Sequence, residues 1–320
     1  MKKSVSGRAP WLACALAGGA LAAALRKWQL GSAFEEGSGL SIPMAPASVT
    51  LGCLLVMAAA WFLILATYQP VSKRPWSVGQ AHRWDLVFLD AGDPMYPILV
   101  VAAAFAAAAA APFLLRTGLA QWQAYREAKA ALAQGINIQL PSSNGVLALA
   151  TAVGALLSFL GLLQMGRDGL HAGRRGKGGF AAALPGVAGC VWLMESFRAH
   201  AANPVQWDYA PQLIAIVVGM GFYMDFAGMS AGAPRPRRLL WMAGMTVILS
   251  APPLATVLAE LSARLATGGS LLAAETGDAL LLLSQLLAAA GVLWRLPPYL
   301  ERSAQPSPEE ASIEEETTDE

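Results

Sequence analysis

The chain has 320 residues, of which 56% are hydrophobic and only 13% charged, with a mean hydropathy of +0.48 and a formal net charge of +1. A soluble domain carries about a quarter charged residues, so this balance excludes an ordinary soluble globule; the net charge itself says little about partners, but no long basic region with interleaved aromatics suggests nucleic acid. What remains is a polytopic membrane protein.

A helix needs roughly twenty largely apolar residues to cross the hydrocarbon core, because lipid offers exposed backbone no hydrogen-bond partners. In chain order the runs that meet this need are Trp11 to Leu25, Val49 to Tyr68, Pro97 to Leu115, Gly145 to Met165, Phe180 to Phe197, Tyr209 to Ser230, Leu239 to Leu261 and Asp278 to Trp294. The fold class expected is therefore all-α, a transmembrane helical bundle of about eight spans. Residues 1–300 form the membrane domain and residues 301–320 an acidic tail, in which Glu301, Glu309, Glu310, Glu314, Glu315, Glu316, Asp319 and Glu320 crowd together. From Ser303 onward the tail has too little apolar surface to fold alone and is expected to be disordered.

Between the runs, lysines and arginines alternate in density. With the N-terminus inside, the inner segments hold about twice as many as the outer ones, which predicts that both termini are cytoplasmic. Lys2, Lys3, Arg8 and the Ala-x-Ala at Ala22 to Ala24 also fit a cleaved secretory leader, an alternative that leaves the later topology unchanged. Residues 69–96 are expected to form an inner loop. Thr117 to Gly135, with Leu119, Trp122, Tyr125 and a closing glycine, is expected to form a separate short helix on the outer surface. Small residues between Val100 and Pro112, the series Ala182, Gly186, Cys190, and the pair Gly154 and Ser158 predict close helix packing. Cys14, Cys53 and Cys190 lie inside apolar runs without metal-site spacing and are expected to be small core residues.

Few residues carry chemistry. Gly228-Met229-Ser230-Ala231-Gly232 has the letters of a nucleophile elbow, but that mechanism needs a strand-to-helix turn and a histidine base. Here the pattern closes a helix. A pairing of Ser230 with His171 is the only form in which a membrane-embedded hydrolase is conceivable, and His82 and His200 are the other histidines. Asp225 is an ionisable residue inside a span, which in lipid faces the bundle interior, a partner or water. It is expected to pair with Arg235, Arg237 or Arg238 of the following loop or to handle a ligand or a proton. Glu195 and Arg198, three apart, have the spacing of an ion pair on one helix face. Glu260, Glu275 and Asp278 are read as solvated residues at span ends. Asn203-Pro204 reads as a turn between two spans, with Trp207 and Tyr209 as interfacial anchors. No phosphate-binding loop, dinucleotide fingerprint or zinc motif is present in the sequence, and no cofactor is expected.

The stretches AFEEGSGLSIPMAPAS (residues 33–48), ESFRAHAANPVQWDYAPQLIAI (195–216) and FYMDFAGMSAG (222–232) resemble a group of uncharacterised polytopic membrane proteins of Gram-positive anaerobic bacteria. The resemblance implies a bacterial plasma-membrane protein and transfers no catalytic residue. The expectation is a non-enzymatic structural, sensory or complex-forming component whose partners are the lipid bilayer and other membrane proteins or further copies of itself, without nucleic acid. A transporter of a small molecule or ion using Asp225 is the alternative.

Overall fold

The computed structural model describes residues 9–35, 40–69, 93–141, 143–170, 178–201, 206–230, 233–266 and 274–304. Among them the fold is all-α, with eight helices: α1 (Ala9–Ser32), α2 (Pro46–Tyr68), α3 (Met95–Ala133), α4 (Val146–Leu170), α5 (Gly178–His200), α6 (Gln206–Ser230), α7 (Pro236–Ala266) and α8 (Ala274–Ala304). Each contains one of the eight apolar runs. Six carry stretches long and apolar enough to cross a membrane, namely Pro46–Tyr68, Met95–Ala133, Val146–Leu170, Tyr209–Met229, Pro236–Arg264 and Glu275–Leu300. The last of these shows that the eighth run extends well beyond Asp278 and Trp294 at both ends.

Sequence neighbours pack together from α3 through α8, and α8 returns to pack extensively on α3. Six helices thus close a ring. The α1–α2 hairpin lies outside it, docked on α7, and its turn is held by an isolated antiparallel bridge between Phe34 and Ser41. Buried Phe62 of α2 lies on Gly244 of α7, where any side chain larger than hydrogen would displace the ring. On α1, Gly18 and Gly19 approach Ile248 and Ala251 of α7 in the same way.

Small residues set the ring's tightness because lipid supplies no hydrophobic drive between helices and close dispersion contact must do the work. In α3 the buried alanines 103, 104, 106, 107, 110 and 111 form the packed face. Gly161 of α4 lies on the carbonyl of Ala181 in α5. Pro185, four residues on, cannot donate to that carbonyl, so its oxygen is free to meet a neighbouring backbone. Gly186 seats Tyr223 and Met224 of α6, as the small-residue pattern predicts. Cys190 does not continue that stripe: it is exposed, as are Cys14 and Cys53. An apolar run places a residue at membrane depth without saying which side of its helix faces protein, and these three face outward.

A second correction concerns residues 117–135. They are not a separate surface helix but the continuation of α3, whose 39 residues reach about 58 Å. Nothing between Leu115 and Gly118 breaks the helix, and the residues that follow are good helix formers. Gly118 is the last buried position, packed on Leu149 of α4, and from Leu119 to Ala133 none is buried. The arm ends at Gly135, whose φ of 80° suits a helix stop. The chain then returns to Gly145, with φ of 74°, which lies against the Gly118 carbonyl and the Trp122 amide. Of the inner loop expected over residues 69–96, residues 70–92 lie outside the described residues, as do residues 305–320 of the acidic tail expected over 301–320, whose first four residues instead end α8.

Candidate functional site

The interior of the ring holds a stripe of polar side chains on an otherwise apolar wall. On α8 the stripe is Asp278, Ser284 and Gln285, and on α6 it is Gln212, followed seven residues later by Gly219. These two helices run parallel, so equal spacings meet. The Gln212 Nε2 donates to Asp278 Oδ2 at 3.3 Å, and Gln285 Nε2 donates to the Ala215 carbonyl at 3.2 Å and to Ser250 Oγ of α7 at 3.0 Å. Gly219 is required here, since a Cβ would occupy the place of the Gln285 carboxamide. Ser284 donates to the Ala103 carbonyl of α3 at 2.8 Å, and the Tyr223 hydroxyl faces Ser284.

Between α4, α5, α6 and α8, Tyr223, Ser284 and Gln285 border a cavity of about 30 Å³, also lined by Thr151, Ser158 and Trp192. A water needs about 10–15 Å³ of such space, so the cavity has room for roughly two. Trp192 connects it to the acid above. Its indole forms part of the cavity wall, and its Nε1 donates to Asp278 Oδ1 at 2.7 Å.

Around Asp278 the end of the ring is densely functional. The Asp278 carboxylate acts electrostatically on Glu195 of α5, and His200 is the basic group that acts on Asp278. The His200 ring stacks on Tyr209 with centroids 5.0 Å apart, and its Nδ1 lies 2.8 Å from the Ser196 carbonyl. Ser196 is one helical turn beyond Trp192 and shares its inward face. Its side chain is 1% exposed, and its Oγ has no hydrogen-bond partner among the described residues.

The residues singled out from sequence separate into two places. Asp225 lies at the opposite end of the ring, 8% exposed, with Oδ2 2.9 Å from Nε of Arg238. Arg235 also acts on it. Arg237 instead donates to the Gln69 carbonyl at 3.3 Å, tying α7 to the end of α2. Glu195 and Tyr209 belong to the Asp278 end. Arg198, three residues on from Glu195, is exposed. Asn203 and Pro204 lie outside the described residues, and Trp207 is in α6 at a position whose side chain is outside them. Ser230 ends α6 at the Asp225 end, whereas His200 is at the other end; His82 and His171 lie outside the described residues. No group of three potential metal ligands occurs among the described residues.

Asp278 is not the solvated span end that the sequence predicts, since it accepts from Trp192 and Gln212. In the structure α8 starts one turn earlier, at Ala274, which carries Asp278 down into the ring. The signal that identifies it is the spacing of seven between Asp278 and Gln285, matched by the spacing between Gln212 and Gly219. Polar and small residues at this interval hold one face of a helix.

Set against known proteins, the chain matches no family model, and neither a curated sequence nor a solved structure is similar to it.

Proposed function

We propose that this chain is a non-catalytic, multi-pass component of the bacterial plasma membrane that binds a small solute within its helix ring, in a sensory or transport role. The observation that carries this reading is Asp278, an acid on a membrane-span helix, held by Trp192 and Gln212 and joined through the Trp192 indole to a small cavity that Thr151, Ser158, Tyr223, Ser284 and Gln285 help to line. Ionisable groups at such positions are expensive and face functional interiors, and convergent polar groups in an otherwise apolar pocket are the usual form of a ligand site. The bacterial location follows from the sequence resemblance of residues 33–48 and 195–232. Asp225, in its ion pair with Arg238, acts in this reading as a clasp between α6 and α7 rather than as the transport residue.

The test is a thermal-stability screen of the purified protein in lipid nanodiscs against a library of small cationic, neutral and anionic solutes. At least one solute is expected to stabilise the protein saturably, since a ligand that binds only the folded state raises its stability by mass action. That gain should vanish in Asp278→Asn. A library in which nothing stabilises the native protein would remove the reading.

A second reading, complex formation, is favoured by the projecting part of α3. Leu119, Trp122 and Leu132, with Ile136, Ile138 and Leu140 of the returning strand of chain, are all 39–50% exposed on an arm that extends past the ring. Exposed apolar clusters of this kind outside lipid mark association surfaces. In-cell crosslinking followed by purification distinguishes a discrete partner or homo-oligomer from a protein recovered alone.

A further inference from the structure

The hydrogens of the polar side chains that line the ring's cavity are committed elsewhere. In α4, Thr151 donates to the Leu147 carbonyl and Ser158 to the Gly154 carbonyl, each at 2.9 Å. In α8, Ser284 donates to the Ala103 carbonyl, and Gln285 directs its amide hydrogens to the Ala215 carbonyl and to Ser250 Oγ. The Trp192 Nε1 is held by Asp278. What Thr151, Ser158, Ser284 and Gln285 can offer the space they line is therefore oxygen lone pairs. Gln285 is 5% exposed, and its Oε1, seated against Gly219, accepts no hydrogen bond among the described residues. Buried polar groups are overwhelmingly satisfied, so this oxygen marks the cavity as a place for a donor or a cation.

A second observation, of charge, selects the cation. Asp278 accepts from Trp192 and Gln212, both neutral, and makes no ion pair among the described residues. His200, the basic group that acts on it, is stacked on Tyr209. A carboxylate on a membrane-span helix is costly without a compensating charge. Trp192 both bonds this carboxylate and lines the cavity, so the cavity gives that charge a place one side chain away.

We propose that the cavity binds a monovalent alkali cation, sodium or potassium, through the oxygens of Thr151, Ser158, Ser284 and Gln285. This rests on the reading that the ring binds a solute. Neutral oxygen dipoles can replace the hydration shell of such an ion, as rings of carbonyls do in potassium channels. A divalent ion gathers carboxylates, and no group of three His, Cys, Asp or Glu that could hold one occurs among the described residues. The volume of about 30 Å³ suits one bare ion with one water, which itself needs about 10–15 Å³. Choline is too large to enter.

The experiment is a titration of the nanodisc-embedded protein with sodium chloride and with potassium chloride, each compared with choline chloride at matched ionic strength and read as a shift in Tm. A saturable rise with sodium, potassium or both, and none with choline, is expected. Thr151→Val removes a lining hydroxyl while keeping the side-chain shape, and should weaken the apparent affinity by about tenfold, the scale of one polar contact to a charge. Asp278→Asn should weaken it as well; if that variant does not fold, Thr151→Val and Ser158→Ala decide the matter. Thr246→Val removes a hydroxyl bonded to the Met242 carbonyl of its own helix, away from the cavity lining, and should leave the affinity unchanged. Equal Tm values in the three salts would mean a cavity filled by water only and would overturn the site. A shift undiminished in both Thr151→Val and Ser158→Ala overturns it too, because the ion then binds elsewhere. If the salts are indistinguishable while another solute stabilises the protein in an Asp278-dependent way, the cation inference fails and the solute-binding reading stands.

Discussion

Single residues in this ring differ sharply in what they can tolerate, and Gly219 is among the constrained ones. Its missing side chain is what allows the Gln285 carboxamide to lie against α6 and bond to Ala215 and Ser250. Gly219→Ala therefore displaces a buried amide from its partners, and overpacking of this kind costs about 1–3 kcal/mol. The variant should unfold at a clearly lower temperature. Adding Gln285→Ala should recover part of the loss, because the displaced group is gone, and strictly additive losses would show that the two positions are not in contact. The Asp225 and Arg238 pair should behave differently. Arg238 is half exposed, so solvent screens the interaction. A double-mutant cycle with Asp225→Asn and Arg238→Gln should give a coupling of no more than about 1 kcal/mol, and a larger value would assign Asp225 a buried electrostatic role.

At the scale of helices, the contact between α4 and α5 is made by backbone. Gly161 rests on the Ala181 carbonyl that Pro185 leaves without a helical donor, and a carbonyl cannot rotate aside as a side-chain tip does. Gly161→Ala should separate the two helices and lower stability by about 1–3 kcal/mol. Gly52→Ala in α2, where nothing lies within 4 Å of the added carbon, should change stability by less than about 0.5 kcal/mol. Equal losses at both sites, measured by thermal unfolding in one detergent, would contradict the packing described. Existence and order of the helices were legible from hydrophobic runs, because lipid permits so few backbone solutions. Facing was less so. Cys14, Cys53 and Cys190 sit in the same runs as buried alanines yet point outward, since a helix that is apolar all round carries little periodic signal. The arm of α3 is not legible as part of one helix, because a change from apolar to polar residues marks the membrane boundary without ending a helix.

For the whole molecule, the decisive feature is that α8 closes on α3. The setting of Asp278 is not legible from sequence for the same reason. It lies 86 positions from Trp192, and only the closed ring brings the indole to its carboxylate. From the charge bias, with arginines concentrated where α6 turns into α7, we expect a reporter fused after Glu320 to register as cytoplasmic, and an external signal would overturn that orientation. Closure itself can be trapped. The position of a Cβ on Gly277 of α8 is 2.9 Å from Leu114 Cγ of α3, so replacing both residues by cysteine leaves room for a sulfur bridge. In a background with Cys14, Cys53 and Cys190 replaced by alanine, oxidation should join the pair. A protease site inserted between α5 and α6 then separates the two halves of the chain unless the bridge has formed, and a cysteine at exposed Val56 paired with Gly277→Cys should never link them. If the 114 and 277 pair stays in two fragments in a folded protein, the ring is open at α3. Ser284 would then lose its partner carbonyl at Ala103 and the cavity its wall, leaving Asp278 in a groove open to the bilayer rather than in a site that could hold a solute.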